Sequence, residues 1–217
     1  MISTLISHIE ESLVLANNNK SKISDDLLKM EGMSGKKTRH FYNNLCSMNH
    51  TRYLEIGTWK GSSLCSAMFN NKITCLAIDN FSEFGGPRED FFKNLDKYKG
   101  INNVNFIEKN CWDVDVNVIG KFNIYMYDGN HNHDSHYKAL NHYLPCLDEF
   151  FIYIVDDWNW PWVRDPTLKA ILDNNIEIIY KKEIFVEHDD NYVTPLSGPD
   201  SDWHNGISIF ILKKIKI

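Results

Sequence analysis

The chain has 217 residues, of which 43% are hydrophobic and 24% charged, and a formal net charge of −6; such a length and composition suit one globular domain with a full core. No basic run occurs beyond Lys213-Lys214, which leaves no electrostatic footprint for nucleic acid, and the longest strongly apolar run, residues 150–155, is far too short to span a bilayer. Five scattered cysteines without a C-x-x-C pair read as reduced thiols of a cytoplasmic protein, and the N-terminus has no basic region followed by an apolar stretch, so no signal peptide is expected.

Residues 2–16 place Ile2, Leu5, Ile6, Ile9, Leu13 and Val14 at helical spacing. A second helical piece covers 23–30, a flexible corner 31–35, and a third helix 37–48. These elements form an N-terminal cap (1–50) ahead of the core (51–217) within a single domain, and they either lie across a ligand edge or pad one face of a sheet.

The chain then reads R-Y-L-E-I-G-T-W-K-G-S-S from Arg52 to Ser63. Tyr53, Leu54 and Ile56 are strand formers that stop at Gly57, and a helical stretch follows Gly61. A strand running through a glycine turn into a helix is the nucleotide-binding crossover of doubly wound α/β folds. Ser62 and Ser63 are positioned to cap that helix. Glu55 stands where a dinucleotide fingerprint needs its first glycine, and no Lys-Ser or Lys-Thr follows Gly61 as a phosphate-binding loop requires. An acidic residue beside this turn would repel a pyrophosphate and suit a cationic ligand. The pattern E-x-G-x-x-x-G resembles the first motif of class I S-adenosylmethionine-dependent methyltransferases, although an ordinary strand-to-helix turn also fits it.

Further strands are expected at 72–79, 104–107, 122–127 and 150–155, with a closing pair at 176–180 and 207–212. Helices are expected from Pro87 to Tyr98, over 134–147 and over 167–174. The reading is an α/β, Rossmann-like doubly wound sheet of about seven strands. Asp79 ends the second strand, where a carboxylate can accept hydrogen bonds from ribose hydroxyls. Asp128 ends the fourth strand, and Asp156 and Asp157 end the fifth. Three carboxylates therefore converge on one sheet edge, where a hard divalent cation such as Mg²⁺ would relieve their repulsion. Neighbouring residues on a strand point to opposite faces, so Asp156 and Asp157 act together only if the strand stops there.

The motifs D-G-x-H (Asp128 to His131) and V-D-D-W (Val155 to Trp158) resemble those of metal-dependent sugar and small-molecule O-methyltransferases. This resemblance, which spans residues 52–158, implies S-adenosylmethionine held by Glu55, Gly57, Thr58, Gly61, Ser62, Ser63, Asp79, Cys111, Trp112 and Asp128. It implies metal ligands at Asp128, Asp156 and Asp157, with His131 as general base beside Asp128. Asn130 departs from relatives that carry an aspartate there. Trp112 is either an adenine wall or a buried aromatic, and Trp158, Trp160 and Trp162 either line an acceptor site or cover the sheet end. His131, His133, His136 and His142, and the H-D-D run at 188–190, give little support for zinc or iron. The implied partner is a small-molecule acceptor, without nucleic acid or membrane and with room for a homo-oligomer. The loop 187–206 and the N-terminal helices are expected to lid the acceptor site. A nicotinamide-dependent oxidoreductase and a non-catalytic nucleotide-binding subunit are the alternatives.

Overall fold

A computed structural model describes residues 2–186 and 198–215. Seven strands form one sheet: β1 (Arg52–Ile56), β2 (Thr74–Asp79), β3 (Asn103–Glu108), β4 (Phe122–Tyr127), β5 (Leu147–Asp156), β6 (Ile176–Ile184) and β7 (Ile207–Lys214). Their order is β3-β2-β1-β4-β5-β7-β6. The first five run parallel, while β7 is antiparallel to both β5 and β6. The order reverses between β1 and β4, and ligands bind at such a switch point, beyond the carboxyl ends of the strands.

Helices cover both faces. On one lie α1 (Ile2–Asn17), α2 (Asp25–Leu28), α3 (Lys36–Leu45), α4 (Ser62–Met68) and α5 (Arg88–Tyr98); on the other lie α6 (His133–Tyr143) and α7 (Pro161–Asp173). The alternation of side chains along each strand sorts the core into these two layers. Tyr53 belongs to the same core layer as Ile9, Leu13, Phe41 and Leu45, whereas Leu54 and Ile56 belong to that of Leu140 and Tyr143. The N-terminal helices therefore pad one face. The 31–35 corner does more, since Met33 and Ser34 reach the ligand edge.

Several boundaries differ from expectation. Helix α6 ends at Tyr143 because Pro145 sits in a 3-10 turn that leads directly into β5 at Leu147. Helix α7 starts at Pro161, well ahead of 167, with proline in the first turn where its missing N–H is harmless. Ser62 and Ser63 lie inside α4 and do not cap it; Gly61, at φ 84°, holds the N-cap position. No described helix is long and apolar enough to cross a membrane.

Candidate active site

Gly57 turns the chain at the end of β1 with φ 83°, and a Cβ there would run into the carbonyl oxygen of Asp128. Only glycine lets the ends of β1 and β4 approach so closely. The loop after it is fixed from β2. Asp79 Oδ2 accepts from the Thr58 N–H (2.7 Å) and the Trp59 N–H (2.9 Å), and Asp79 Oδ1 from the Phe81 N–H (2.7 Å). Asp79 thus braces the turn while also facing the cavity beside it.

That cavity measures about 500 Å³, within the range of small-molecule sites. Gly57, Thr58, Ser62, Ser63, Asp79 and Asp128 line it, as do Cys111 and Trp112 after β3. Burial pushes the Cys111 thiol up to about 11, so it stays protonated. Trp112 is half-buried, with Tyr127 (6.3 Å between ring centroids) and His142 (5.8 Å) against it. It is therefore a cavity wall rather than a core aromatic.

Two residues of the expected cofactor set do not line the cavity. Gly61 lies behind it, against the Phe91 ring. Glu55 shares the face of Tyr53, two residues before it on β1, and is fully enclosed beneath α4. It accepts from the Tyr53 hydroxyl (2.6 Å) and the Ser63 hydroxyl (2.7 Å). Burial pushes its pKa up to about 8 against the pull of those two donors. Glu55 is therefore a near-neutral strut under the turn, and it offers no anionic surface to a cation.

The acidic end of the cavity is built by β4, β5 and the loop before β7. Strand β5 stops at Asp156, and Asp157 takes a left-handed backbone (φ 53°). That break in the pleat lets adjacent carboxylates reach the same cavity. Asn205 donates to Asp157 Oδ1 at 2.7 Å. His131 Nε2 lies 2.9 Å from Asp157 Oδ2 and 3.3 Å from Asp128 Oδ1. Both oxygens are within ion-pair distance, and the buried nitrogen has no hydrogen bond of good geometry.

The electrostatics are those of a crowded acidic cluster, whose groups titrate together rather than singly. Burial opposes charge on His131, but Asp128 and Asp157 outweigh it and hold its pKa well above the ordinary imidazole value. Asp157 is lowered, because His131, His204 and Asn205 together outweigh its burial. Burial raises Asp128 despite His131, and burial plus repulsion from Asp128 and Asp157 raises Asp156 strongly. Asp128, His131 and Asp157 bring one donor atom each within 4.8 Å of one another. Asp156 stands outside that triad, although it lines the same cavity. Oxygen-rich donors, one unsatisfied nitrogen and a carboxylate raised by its neighbours fit a hard divalent cation.

The other candidates separate. Trp160 lines the cavity, stacks on Trp162 (5.5 Å) and meets His131 edge-on (5.4 Å), whereas Trp158 is buried and donates to Glu183. Asn130 lines the same cavity and donates to Glu83 at 3.0 Å. His136 is fully buried, with its pKa depressed to about 3 by burial, and His142 contacts the Val114 carbonyl oxygen. Residues 188–190 lie outside the described residues. Sequence reasoning missed Met33, Ser34, Tyr127, His204 and Asn205 as individual wall residues. Tyr127 ends β4, while the other four arrive by tertiary docking: Lys36 and Lys37 N–H groups donate to the carbonyls of Ser201 and Asp202, tying the N-terminal corner to the loop before β7.

The doubly wound sheet with this strand order is the α/β, Rossmann-like methyltransferase fold. A family model described as a methyltransferase domain matches residues 54–158. Rv0187 from MTB, solved with its cofactor bound, has 13% identity and a TM-score of 0.55, with 94% of this chain and 91% of that one covered. The O-methyltransferase from Bacillus cereus in complex with SAH has 12% identity and a TM-score of 0.52, covering 95% and 91%. An SAH complex of SMU.776 gives 12% and 0.54 over 82% of this chain, which spans only 48% of that longer protein. No curated protein matches the sequence. The matched segment and the fold support an S-adenosylmethionine-dependent methyltransferase.

Proposed function

We propose that the enzyme methylates a hydroxyl oxygen of a small acceptor, a sugar or similar diol, with divalent-metal assistance. The observation that carries this reading is the meeting of Asp128, His131 and Asp157, with Asp156 alongside, in the cavity lined by the Gly57 turn. When bound, S-adenosylmethionine supplies an activated methyl on a sulfonium sulfur, and a divalent cation supplies Lewis acidity to a coordinated hydroxyl.

Gly57, Thr58 and Asp79 shape the wall beside the donor, and Cys111 and Trp112 bound the far side. Asp128, Asp156 and Asp157 would hold the cation. His131 would take the acceptor's proton at Nε2 once a bound cation offsets the carboxylates that otherwise keep the ring protonated. Trp160 and Trp162 offer a flat apolar platform next to His131, suited to stacking on a sugar ring. The chain's contribution is alignment of acceptor oxygen, methyl carbon and sulfur. A net charge of −6 disfavours a polyanionic acceptor.

The test is a methyl-transfer assay over a panel of diols and sugars, with Mg²⁺ and with chelator, alongside titrations of SAH and NAD. Activity confined to the Mg²⁺ arm is expected, with binding of SAH and not NAD. Full activity in chelator would refute metal assistance and recast the aspartates as cofactor or substrate contacts.

A further inference from the structure

Tyr42, on α3, is fully buried in the same core layer as Phe41, Met126, Ile154 and Ile207. Its ring lies against that of Phe41, 6.0 Å between centroids, yet its hydroxyl has no hydrogen-bond partner among the described residues. An unpaired buried donor is costly, and each one asks for an explanation. Tyr153 is a second tyrosine of this kind, but it differs in surroundings. It belongs to the opposite layer, stacked on Tyr125 at 5.0 Å, and burial alone raises its pKa.

Strand register brings carboxylates to the layer of Tyr42. Residues two apart on a strand leave the sheet on one face, and so do directly paired neighbours. Asp156 follows Ile154 by two and pairs with Ile207 across to β7, so its side chain leaves β5 on the α3 side. Glu55, paired with Met126, and Asp128, two positions beyond Met126, share that face. The electrostatics of Tyr42 agree: after burial, repulsion by Asp156 pushes its pKa up most, ahead of Asp128, Glu55 and Asp157.

Most of these carboxylates already have a side-chain partner. Glu55 has the Tyr53 and Ser63 hydroxyls, Asp157 has Asn205 and His131, and Asp128 has His131. Asp156 has none; the only hydrogen bond acting on it comes from the backbone of Asp157. An orphan donor and a carboxylate without a side-chain donor thus share one buried layer.

We propose that Tyr42 is a positioning residue for the divalent cation, its O–H donating to one oxygen of Asp156 and turning the other toward Asp128, His131 and Asp157. This rests on the metal-assisted reading above. Asp156 stands outside that triad, and a hydrogen bond from behind supplies the orientation that a further ligand needs.

Calorimetric titration of Mn²⁺ into protein without cofactor or acceptor tests it, with native protein, Tyr42→Phe and Tyr153→Phe. Tyr42→Phe should weaken Mn²⁺ by about 10- to 100-fold, the range of lost outer-shell partners, while SAH affinity stays within about twofold. Without cation its urea midpoint should be no lower than native, because the hydroxyl removed has no partner there. Tyr153→Phe should leave Mn²⁺ affinity within about twofold. Adding Mn²⁺ should also give a tyrosine absorption difference band in native protein and Tyr153→Phe, and none in Tyr42→Phe, since a phenol that begins to donate shifts its absorption. Unchanged Mn²⁺ affinity in Tyr42→Phe, or equal loss in both variants, would overturn the proposal. So would a Tyr42→Phe protein destabilised without cation, which would mean that the hydroxyl is already bonded. Native protein that binds no Mn²⁺ would instead bring down the metal reading, and this proposal with it.

Discussion

Glu55→Gln probes the strut beneath the glycine turn. The native carboxyl is fully enclosed, with the Tyr53 and Ser63 hydroxyls as donors. Burial, aided by the charges of Asp128 and Asp79, moves its pKa from 4.5 to about 8. Between those values the folded state keeps a proton that the unfolded chain has released. The stability it contributes is therefore complete below 4.5 and lost as the pH rises through about 8, at a slope near 1.4 kcal/mol per pH unit. From about pH 5.5 to about pH 7.5 the loss is about 3 kcal/mol, a large share of the 5–15 kcal/mol typical of a domain. Glutamine keeps the shape and can hydrogen-bond to both hydroxyls, but it has no charge to acquire. Urea unfolding at the two pH values should show native stability falling more steeply than that of the variant, by about that 3 kcal/mol. Parallel profiles would mean that Glu55 is ionised in both conditions, and the near-neutral strut would be refuted.

Asp128→Asn, Asp156→Asn and Asp157→Asn should each reduce turnover by about 100-fold or more, while calorimetry shows SAH affinity changed less than about threefold. His131→Ala should lose turnover comparably with Mn²⁺ affinity retained; lost Mn²⁺ affinity would make His131 a ligand rather than the base. Gly57→Ala should destabilise by about 2 kcal/mol or more from the left-handed backbone and the collision with the Asp128 carbonyl, read by denaturation, and should abolish SAH binding. Trp160→Ala should raise the acceptor KM by about tenfold and leave SAH affinity unchanged, measured by steady-state kinetics and titration.

Much of the scaffold was legible because its signals are local. The apolar run at 74–79 and the abrupt stop of β1 at Gly57 announce parallel strands and a ligand turn. Asp128, Asp156 and Asp157 were readable as strand ends, and the left-handed Asp157 settles how neighbours on one strand can share a cavity. The burial of Glu55 follows from its two-residue spacing to Tyr53, a signal present in the sequence and overridden there by motif resemblance. Ser34, His204 and Asn205 were not legible as wall residues, because contacts across more than a hundred positions bring them to the cavity. The buried Arg39, which holds Ser34, was equally hidden: all but one of its acceptors are backbone carbonyls, which carry no side-chain code.

The interior placement of β7 gives the acidic half of the cavity a late birth. Strands β1 to β4 can pair as they emerge, and with them the Gly57 turn, Asp79 and Trp112 come into place. The free edge of β5, however, waits for residues 207–213, more than fifty positions downstream of most of its pairing partners. Asn205, which anchors Asp157, arrives with them. Contacts that close such long loops form slowly. Pulse-labelled hydrogen exchange during refolding should find amides of β1 and β4 protected before those of β5 and β7. The nucleoside wall would then exist before the acidic one, and a newly made chain could hold a donor before it could use it.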